Sequence, residues 1–345
     1  MNDPSGPGGG PDLRDPTPSA IARRRSYAWL GTAASLLLFA ASVAVLYRIL
    51  HEVKVDDVRA AFANAGRQQL VWAAGLTAVS YTLLTFYDML ALKQLGVRFP
   101  YRTTALASFT SYAVSFTLGF PLITAGTVRY WIYSPRGLSA AKVASLTLIA
   151  GVTFLLGLGT VIGVGLIWQA EAIADLNHLG VSLNRLIGMC TLGVIVVYLV
   201  WVGVKTRAVR MQKWRLELPN FPVSLAQILL GVGDVCAAAG VLYALLPPGY
   251  DIPFQTFAAV YAFACVLGIA SHAPGGLGVF EATMLLAFWR LPYEGMIGAL
   301  LLFRLCYYLI PFVLALLLLG LFEITSRINA YRARVEREAN AESSD

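Results

Sequence analysis

Residues 108–127 read SFTSYAVSFTLGFPLITAGT. The stretch is apolar enough to enter a bilayer, yet its composition is wrong for a simple span. Residues 104–128 carry eight Ser and Thr together with Gly119, Pro121 and Gly126. Glycine and proline weaken a helix interior, the first through backbone entropy and the second by removing a donor. Length alone would let these 25 residues cross, since a span needs about 20. Charge argues against it. Lys93, Arg98 and Arg102 precede the segment, and Arg129, Arg136 and Lys142 follow it. Basic loops stay on the cytoplasmic side. A full crossing would put one of these groups outside. It would also turn the basic loop Lys205, Arg207, Arg210, Lys213 and Arg215 outward, and the acidic loop with Glu171 and Asp175 inward. The segment is therefore predicted to enter and leave from the cytoplasmic side as a re-entrant hairpin. Irregular backbone at membrane depth is tolerated only where protein or a water-filled cavity covers it.

The rest of the chain supports a bilayer setting. Apolar residues make up 58% and charged residues 13% of 345, and mean hydropathy is +0.68. Soluble domains run near 45–50% apolar and about 25% charged. So few charges could not cover a soluble globule, which excludes a cytosolic enzyme, a secreted disulfide scaffold and a disordered chain. Apolar runs of about 20 residues are too long for barrel strands. The net charge of +7 belongs to cytoplasmic loops facing anionic lipid, so nucleic acid is not an expected partner. Cys190, Cys236, Cys265 and Cys306 sit in apolar runs without a CxxC pair. His51, His178 and His272 share no ligand spacing, so no metal and no cofactor is expected.

In chain order, residues 1–22 read as a disordered cytoplasmic tail rich in Pro, Gly and Ser. Residues 27–47 read as a first span and 51–69 as a surface amphipathic helix. Further spans are predicted at 70–92, 143–168, 186–204, 223–246 and 296–322, and a charged cytoplasmic tail at 326–345. Segment 254–292 must begin and end outside. It splits at His272-Ala273-Pro274-Gly275-Gly276 into arms of about 18 and 13 residues, a hairpin from outside or two short spans. The expected fold is an all-α polytopic membrane protein. It has about six full spans and two re-entrant hairpins within 23–325, with both termini cytoplasmic. Residues 70–168 and 223–322 would each read span, hairpin, span in opposite orientation, the signature of inverted repeats in transporters.

Charges at membrane depth cost about 2.5–3.5 kcal/mol or more on insertion scales and need a reason to persist. Asp88, Asp234, Glu281 and Arg304 are such groups, with Arg129 directly after the first hairpin and Tyr307 downstream of Arg304. They are candidates to line a headgroup groove; an ion pair between Glu281 and Arg304 that merely locks helices is the structural alternative. Pro274, Gly275, Gly276 and Gly278 form the turn of the second hairpin, with backbone groups able to meet an anion. Gly157, Gly159, Gly163 and Gly165 crowd one span, and Gly159 with Gly163 has the spacing of close helix packing. No nucleophile–base order, paired catalytic carboxylates or P-loop appears.

The run HAPGGLGVFEATML at 272–285 resembles the hallmark of the flippase-like membrane region of lysylphosphatidylglycerol synthases, the multiple-peptide-resistance-factor family. Supporting stretches are YDMLAL at 87–92, SYAVSFTLGFPLITAGTVRYWIYSPRGLS at 111–139 and RLCYYLIP at 304–311. The resemblance covers about residues 27–325. It implies a bacterial inner-membrane protein that moves phospholipid, anionic or aminoacylated, between leaflets. It carries over Arg129, Pro274, Gly275, Gly276, Gly278, Glu281, Arg304, Tyr307 and Pro311. Full-length members continue into a soluble synthase domain. This chain ends about twenty residues after its last helix, so the expectation is a transporter without synthase activity, with a separate lipid synthase as a possible partner. A solute transporter, a membrane enzyme on a lipid-linked substrate and a non-catalytic partner of a synthase are the alternatives, and the oligomeric state stays open.

Overall fold

The computed structural model describes residues 65–177, 179–204, 208–211, 214–217, 219–249, 251–271 and 274–342, with positions 40, 42, 44 and 62 besides. The predicted tail 1–22, the span 27–47, most of the surface helix 51–69 and His272 lie outside the described residues.

The first unit runs α1 (Arg67–Gln94), α2 (Tyr101–Leu118), α3 (Pro121–Tyr133) and α4 (Ala140–Trp168). Its starts follow local chemistry. Gln69 reaches back to accept from the Gly66 amide at 2.9 Å, and its amide donates to the Leu246 carbonyl at 2.7 Å. Ser139 caps α4 by accepting from the Lys142 amide at 3.4 Å. A short helix α5 (Ala170–Asn177) fills the acidic loop and leads to α6 (Val181–Val204). The second unit runs α7 (Phe221–Ala244), α8 (Phe254–Ala270) and α9 (Val279–Ala287). It closes with α10 (Tyr293–Phe303), a π-helical stretch Arg304–Leu309 and α11 (Ile310–Glu342). Asn220 caps α7 by accepting from the Val223 amide at 3.2 Å, with Pro222 in the first turn.

Among the described residues, five helical stretches are long and apolar enough to cross a membrane: α1, α4, α6, α7 and the continuous run Tyr293–Asn329. They match the five predicted spans that fall on described residues. The last helix continues through the charged segment as far as Glu342. Its Glu323 accepts from the Trp131 indole at 3.1 Å, which ties the end of the second unit to α3.

Two expectations are corrected. The basic loop after α6 is not helical or irregular throughout: Ala208–Met211 (β1) and Trp214–Glu217 (β2) pair antiparallel, Val209 opposite Leu216 and Arg210 opposite Arg215. Apolar and polar residues alternate in Trp214–Glu217 with the period of two that suits strands, whereas in Ala208–Met211 only Arg210 is polar. Among the described residues the regular structure is therefore all-helical except for this small hairpin. In 254–292 the arms are 17 and nine residues. Nine helical residues reach about 14 Å, half of the roughly 30 Å a span requires. An arm this short speaks against two short full spans, the second of the two readings.

Helix α4 is the hub, and its glycines make it so. A Cβ added at Gly231 of α7 would lie 2.6 Å from the Thr153 carbonyl and 2.8 Å from the Gly157 Cα. One at Gly163 would meet Leu192 of α6 at 2.8 Å, and one at Gly165 would collide with Ala259 of α8. Small residues let helix backbones approach closely in a bilayer. The spacing Gly159–Gly163 was only part of this device. Gly159 has ordinary contacts, the nearest 3.5 Å away on Ile195, whereas Gly157 and Gly165 carry two of the three crossings.

Outward faces are apolar. Leu122, Ile123, Leu155, Val194, Val197, Leu286 and Trp289 are exposed, as expected of surfaces that meet lipid rather than water.

Candidate functional site

The first hairpin breaks at Gly119 (φ 79°) and Phe120 (φ 50°), and Pro121 opens α3 at a position where its missing N–H costs nothing. A bulky residue at positive φ is a true outlier and needs support. Thr124 supplies it: its hydroxyl donates to the Gly119 carbonyl at 2.9 Å and lies 3.1 Å from that of Phe120. Two turns further, α3 delivers Arg129 to Asp88 of α1. Arg129 Nε donates to Asp88 Oδ2 at 2.9 Å and Nη2 to Oδ1 at 2.7 Å. The Tyr112 ring lies 4.9 Å from the guanidinium carbon. The pair is sealed, with side chains 1% and 0% exposed.

The second hairpin turns on Gly275 (φ 60°), Gly276 (φ 65°) and Gly278 (φ 83°), the glycine-only conformations expected of PGGLG. Glu281, in the first turn of α9, accepts from the Gly278 amide at 2.8 Å with Oε2. Its Oε1 accepts from Arg304 Nε at 2.6 Å, and Arg304 Nη1 donates to the Gly275 carbonyl at 2.7 Å. Arg304 also lies over the Tyr308 ring at 4.6 Å and the Phe280 ring at 5.8 Å. This pair differs from the first in access. Arg304 and Glu281 are 17% and 24% exposed. Arg304 Nη2 lies 2.6 Å from the same Oε1 but out of line for a hydrogen bond; it is a buried nitrogen with no hydrogen-bond acceptor among the described residues.

The two turns meet. A Cβ on Gly275 would stand 3.1 Å from the Phe116 carbonyl and 3.3 Å from that of Thr117, at the end of α2. Phe116 in turn stacks on Tyr307, with ring centroids 6.1 Å apart. The broken ends of both units thus converge on the π-helical stretch.

Asp234 and Tyr307 form a third group. Asp234 Oδ1 accepts from Ser80 at 2.5 Å and Oδ2 from Tyr87 at 3.1 Å, and the Ser80 and Tyr307 hydroxyls are 2.8 Å apart. Pro311 explains why Tyr307 can take part. It lacks the N–H that would bond the carbonyl four residues earlier, and that carbonyl is Tyr307's. The Tyr81 hydroxyl donates to it instead at 3.1 Å.

The six candidates therefore separate into three clusters: Asp88 with Arg129, Glu281 with Arg304, and Asp234 with Tyr307. The alternative of an ion pair between Glu281 and Arg304 describes the contact correctly. The reading from sequence missed Ser80, Tyr81, Tyr87, Tyr112 and Tyr308. A signal was present for three of them. Thr77, Ser80, Tyr81, Leu84, Tyr87 and Asp88 recur at helical spacing along one buried side of α1, a polar stripe on an otherwise apolar helix.

A family profile described as the lysylphosphatidylglycerol synthase TM region matches residues 29–315. An uncharacterized protein, slr0712 of Synechocystis, is 35% identical over 289 residues, 83% of this chain and 89% of that protein. The inner membrane protein YbhN of Escherichia coli K12 is 30% identical over 305 residues, 87% of this chain and 94% of that protein. The phosphatidylglycerol lysyltransferase of Staphylococcus haemolyticus is 26% identical over 318 residues, 86% of this chain but only 34% of the longer enzyme. With four of the five long apolar helices, both broken hairpins and the PGGLGVFE turn falling inside the matched region, the chain is a multi-pass membrane protein that belongs to the family of the lysylphosphatidylglycerol synthase transmembrane region.

Proposed function

We propose that the protein moves a phospholipid headgroup, anionic or aminoacylated, between the leaflets of a bacterial inner membrane. Both broken helices would be re-entrant, one from each side, and both termini cytoplasmic. The observation that carries the reading is the Glu281–Arg304 pair. It is partly exposed and sits where the two hairpin turns meet, with one guanidinium nitrogen beneath that surface lacking a hydrogen-bond acceptor among the described residues. A guanidinium binds phosphate through charge-assisted, often bidentate bonds. A carboxylate beside it suits the amine of an aminoacyl headgroup. The partial match to a lysyltransferase points to that headgroup class, and a separate synthase would supply it. Asp88 and Arg129 would hold the first hairpin against α1 rather than touch the lipid. The reading assigns no covalent step to this chain.

The test is headgroup translocation in proteoliposomes with a fluorescent phosphatidylglycerol, read by quenching of the outer leaflet. Wild type should accelerate exchange. Arg304→Ala should lower the rate at least about tenfold, the effect of losing roughly 1.4 kcal/mol or more of charge-assisted binding. Arg304→Lys should restore only part, since a point charge cannot replace the planar fork. A folded Arg304→Ala protein that translocates at the wild-type rate overturns the site. Uptake of a water-soluble solute with no lipid movement overturns the substrate class.

A further inference from the structure

Asp234 is a buried acid that neither the headgroup site nor the Asp88–Arg129 pair uses. It is 1% exposed, and among the described residues no Lys or Arg lies within ion-pair distance of it. Its partners are all hydroxyls. An unpaired carboxylate buried away from water is far too costly to keep without a purpose. The side chains facing it directly are uncharged, while the nearest charges stand behind them: the Asp88–Arg129 pair against Tyr112, and Arg304 beyond Cys265. Tyr81 and Tyr87 face it from α1, Tyr112 from α2, Cys265 from α8, Tyr307 from the π-helical stretch and Cys236 from its own helix. The one ionisable residue of α4 is Lys142, on its first turn, and those of α10 are Tyr293 and Glu294, likewise at the helix start. On α6, Arg185 and Cys190 are exposed and Tyr198 lies 3.3 Å from Ser224.

We propose that Asp234, Ser80 and Tyr307 form a proton-binding site, in which Asp234 takes up and releases a proton through a reversible chain of hydroxyls. As a carboxylate, Asp234 accepts from Ser80, which accepts from Tyr307. As an acid, it donates to Ser80, which donates to Tyr307. The heavy atoms serve both directions because each hydroxyl can give one hydrogen and accept another. A metal ion does not fit this arrangement. Oxygens held around a cation at roughly 2.3–2.6 Å stand more than about 3 Å from one another, whereas here they are 2.5 and 2.8 Å apart. Tyr307 lies one turn from Arg304, and its freed carbonyl is held by Tyr81. Reversing the chain therefore acts on the stretch that latches the second hairpin. This deepens the lipid reading by naming the coupling ion, and only the coupling rests on that reading.

The experiment is infrared difference spectroscopy on the purified full chain in lipid, between about pH 5 and about pH 9. A carboxylic-acid C=O band should appear on acidification, be lost in Asp234→Asn, persist in Glu281→Gln, and move in frequency in Ser80→Ala and Tyr307→Phe. A band unchanged in Asp234→Asn overturns the site. If Asp234→Asn fails to fold, the Ser80→Ala spectrum decides: an unmoved band overturns the site equally. In liposomes, an imposed pH gradient should change the headgroup exchange rate of wild type and not of Asp234→Asn. An intact, Asp234-dependent band with no lipid movement at all overturns the transport reading and leaves the proton site standing. Lipid movement that ignores the gradient overturns the coupling.

Discussion

Replacing Asp88 by Asn is expected to cost about 3–5 kcal/mol of folding stability, the range for breaking a buried ion pair from one side. The cost comes from what remains. Arg129 is always charged, and in this position it is 1% exposed. Without the carboxylate it would keep a long 3.5 Å contact to the Thr147 hydroxyl and the Tyr112 ring, neither of which carries a charge. Arg129→Ala should destabilise comparably, by stranding Asp88. The double replacement Asp88→Leu, Arg129→Met should recover most of the loss, because two apolar side chains pay no desolvation. Denaturant unfolding of the detergent-purified variants checks this as a double-mutant cycle. Single costs that simply add in the double variant would show that the two residues do not act as a pair. The double variant should also keep translocating lipid, since the pair only holds α3 to α1. Loss of transport from a stable double variant would instead place Asp88 and Arg129 in the headgroup path.

Gly231→Leu is expected to be more damaging than any of these single changes. The α4–α7 crossing has no room for one additional carbon, since its position would be 2.6 Å from a backbone carbonyl. Backbone cannot rotate away as a side-chain end can. Overpacking of a core costs about 1–3 kcal/mol when side chains can adjust. Here the helices themselves must separate, so even Gly231→Ala should reach the top of that range and Gly231→Leu should prevent stable folding. Gly159→Ala is the matched control. Its new methyl would meet only the mobile end of Ile195 at 3.5 Å, and its effect should stay near about 0.5 kcal/mol. Thermal unfolding followed by size-exclusion chromatography reads all three. Equal losses at Gly159 and Gly231 would contradict the packing account. Because Gly231 lies one helical turn before Asp234, a partly folded Gly231→Ala protein should also disturb the Ser80–Asp234 bond.

Much of the architecture was legible without coordinates. The apolar runs located the long helices, and Gly119, Pro121 and PGGLG located the breaks. These signals are local. A proline or a glycine run acts on its own few residues, and an apolar run of about 20 has one low-energy environment whatever its neighbours are. The charged residues at depth were legible for the same reason, since each is anomalous by itself. The β-hairpin after α6 escaped, because strands of four residues, only one of them alternating, are too short to stand out against a run of basic charge. The length of the second hairpin's short arm was also overestimated, because apolar character continues past Ala287 while the helix does not.

Which charge meets which was legible only for Glu281 and Arg304, and there only as one of two alternatives. Asp88 and Arg129 are 41 residues apart, Glu281 and Arg304 are 23, and Ser80 and Asp234 are 154. Each pairing depends on the rotation of one helix against another, and that is set by contacts such as Gly157 with Gly231. Sequence alone determined that this protein lives in a bilayer, where its helices break and which ionisable groups must be accounted for, because the free energy of inserting a segment is close to a sum over its own residues. Only the tertiary structure decided that one ion pair is sealed, another is reachable at the meeting of two turns, and a third acid has hydroxyls for company. Those outcomes are properties of helix crossings, and no single segment contains a crossing.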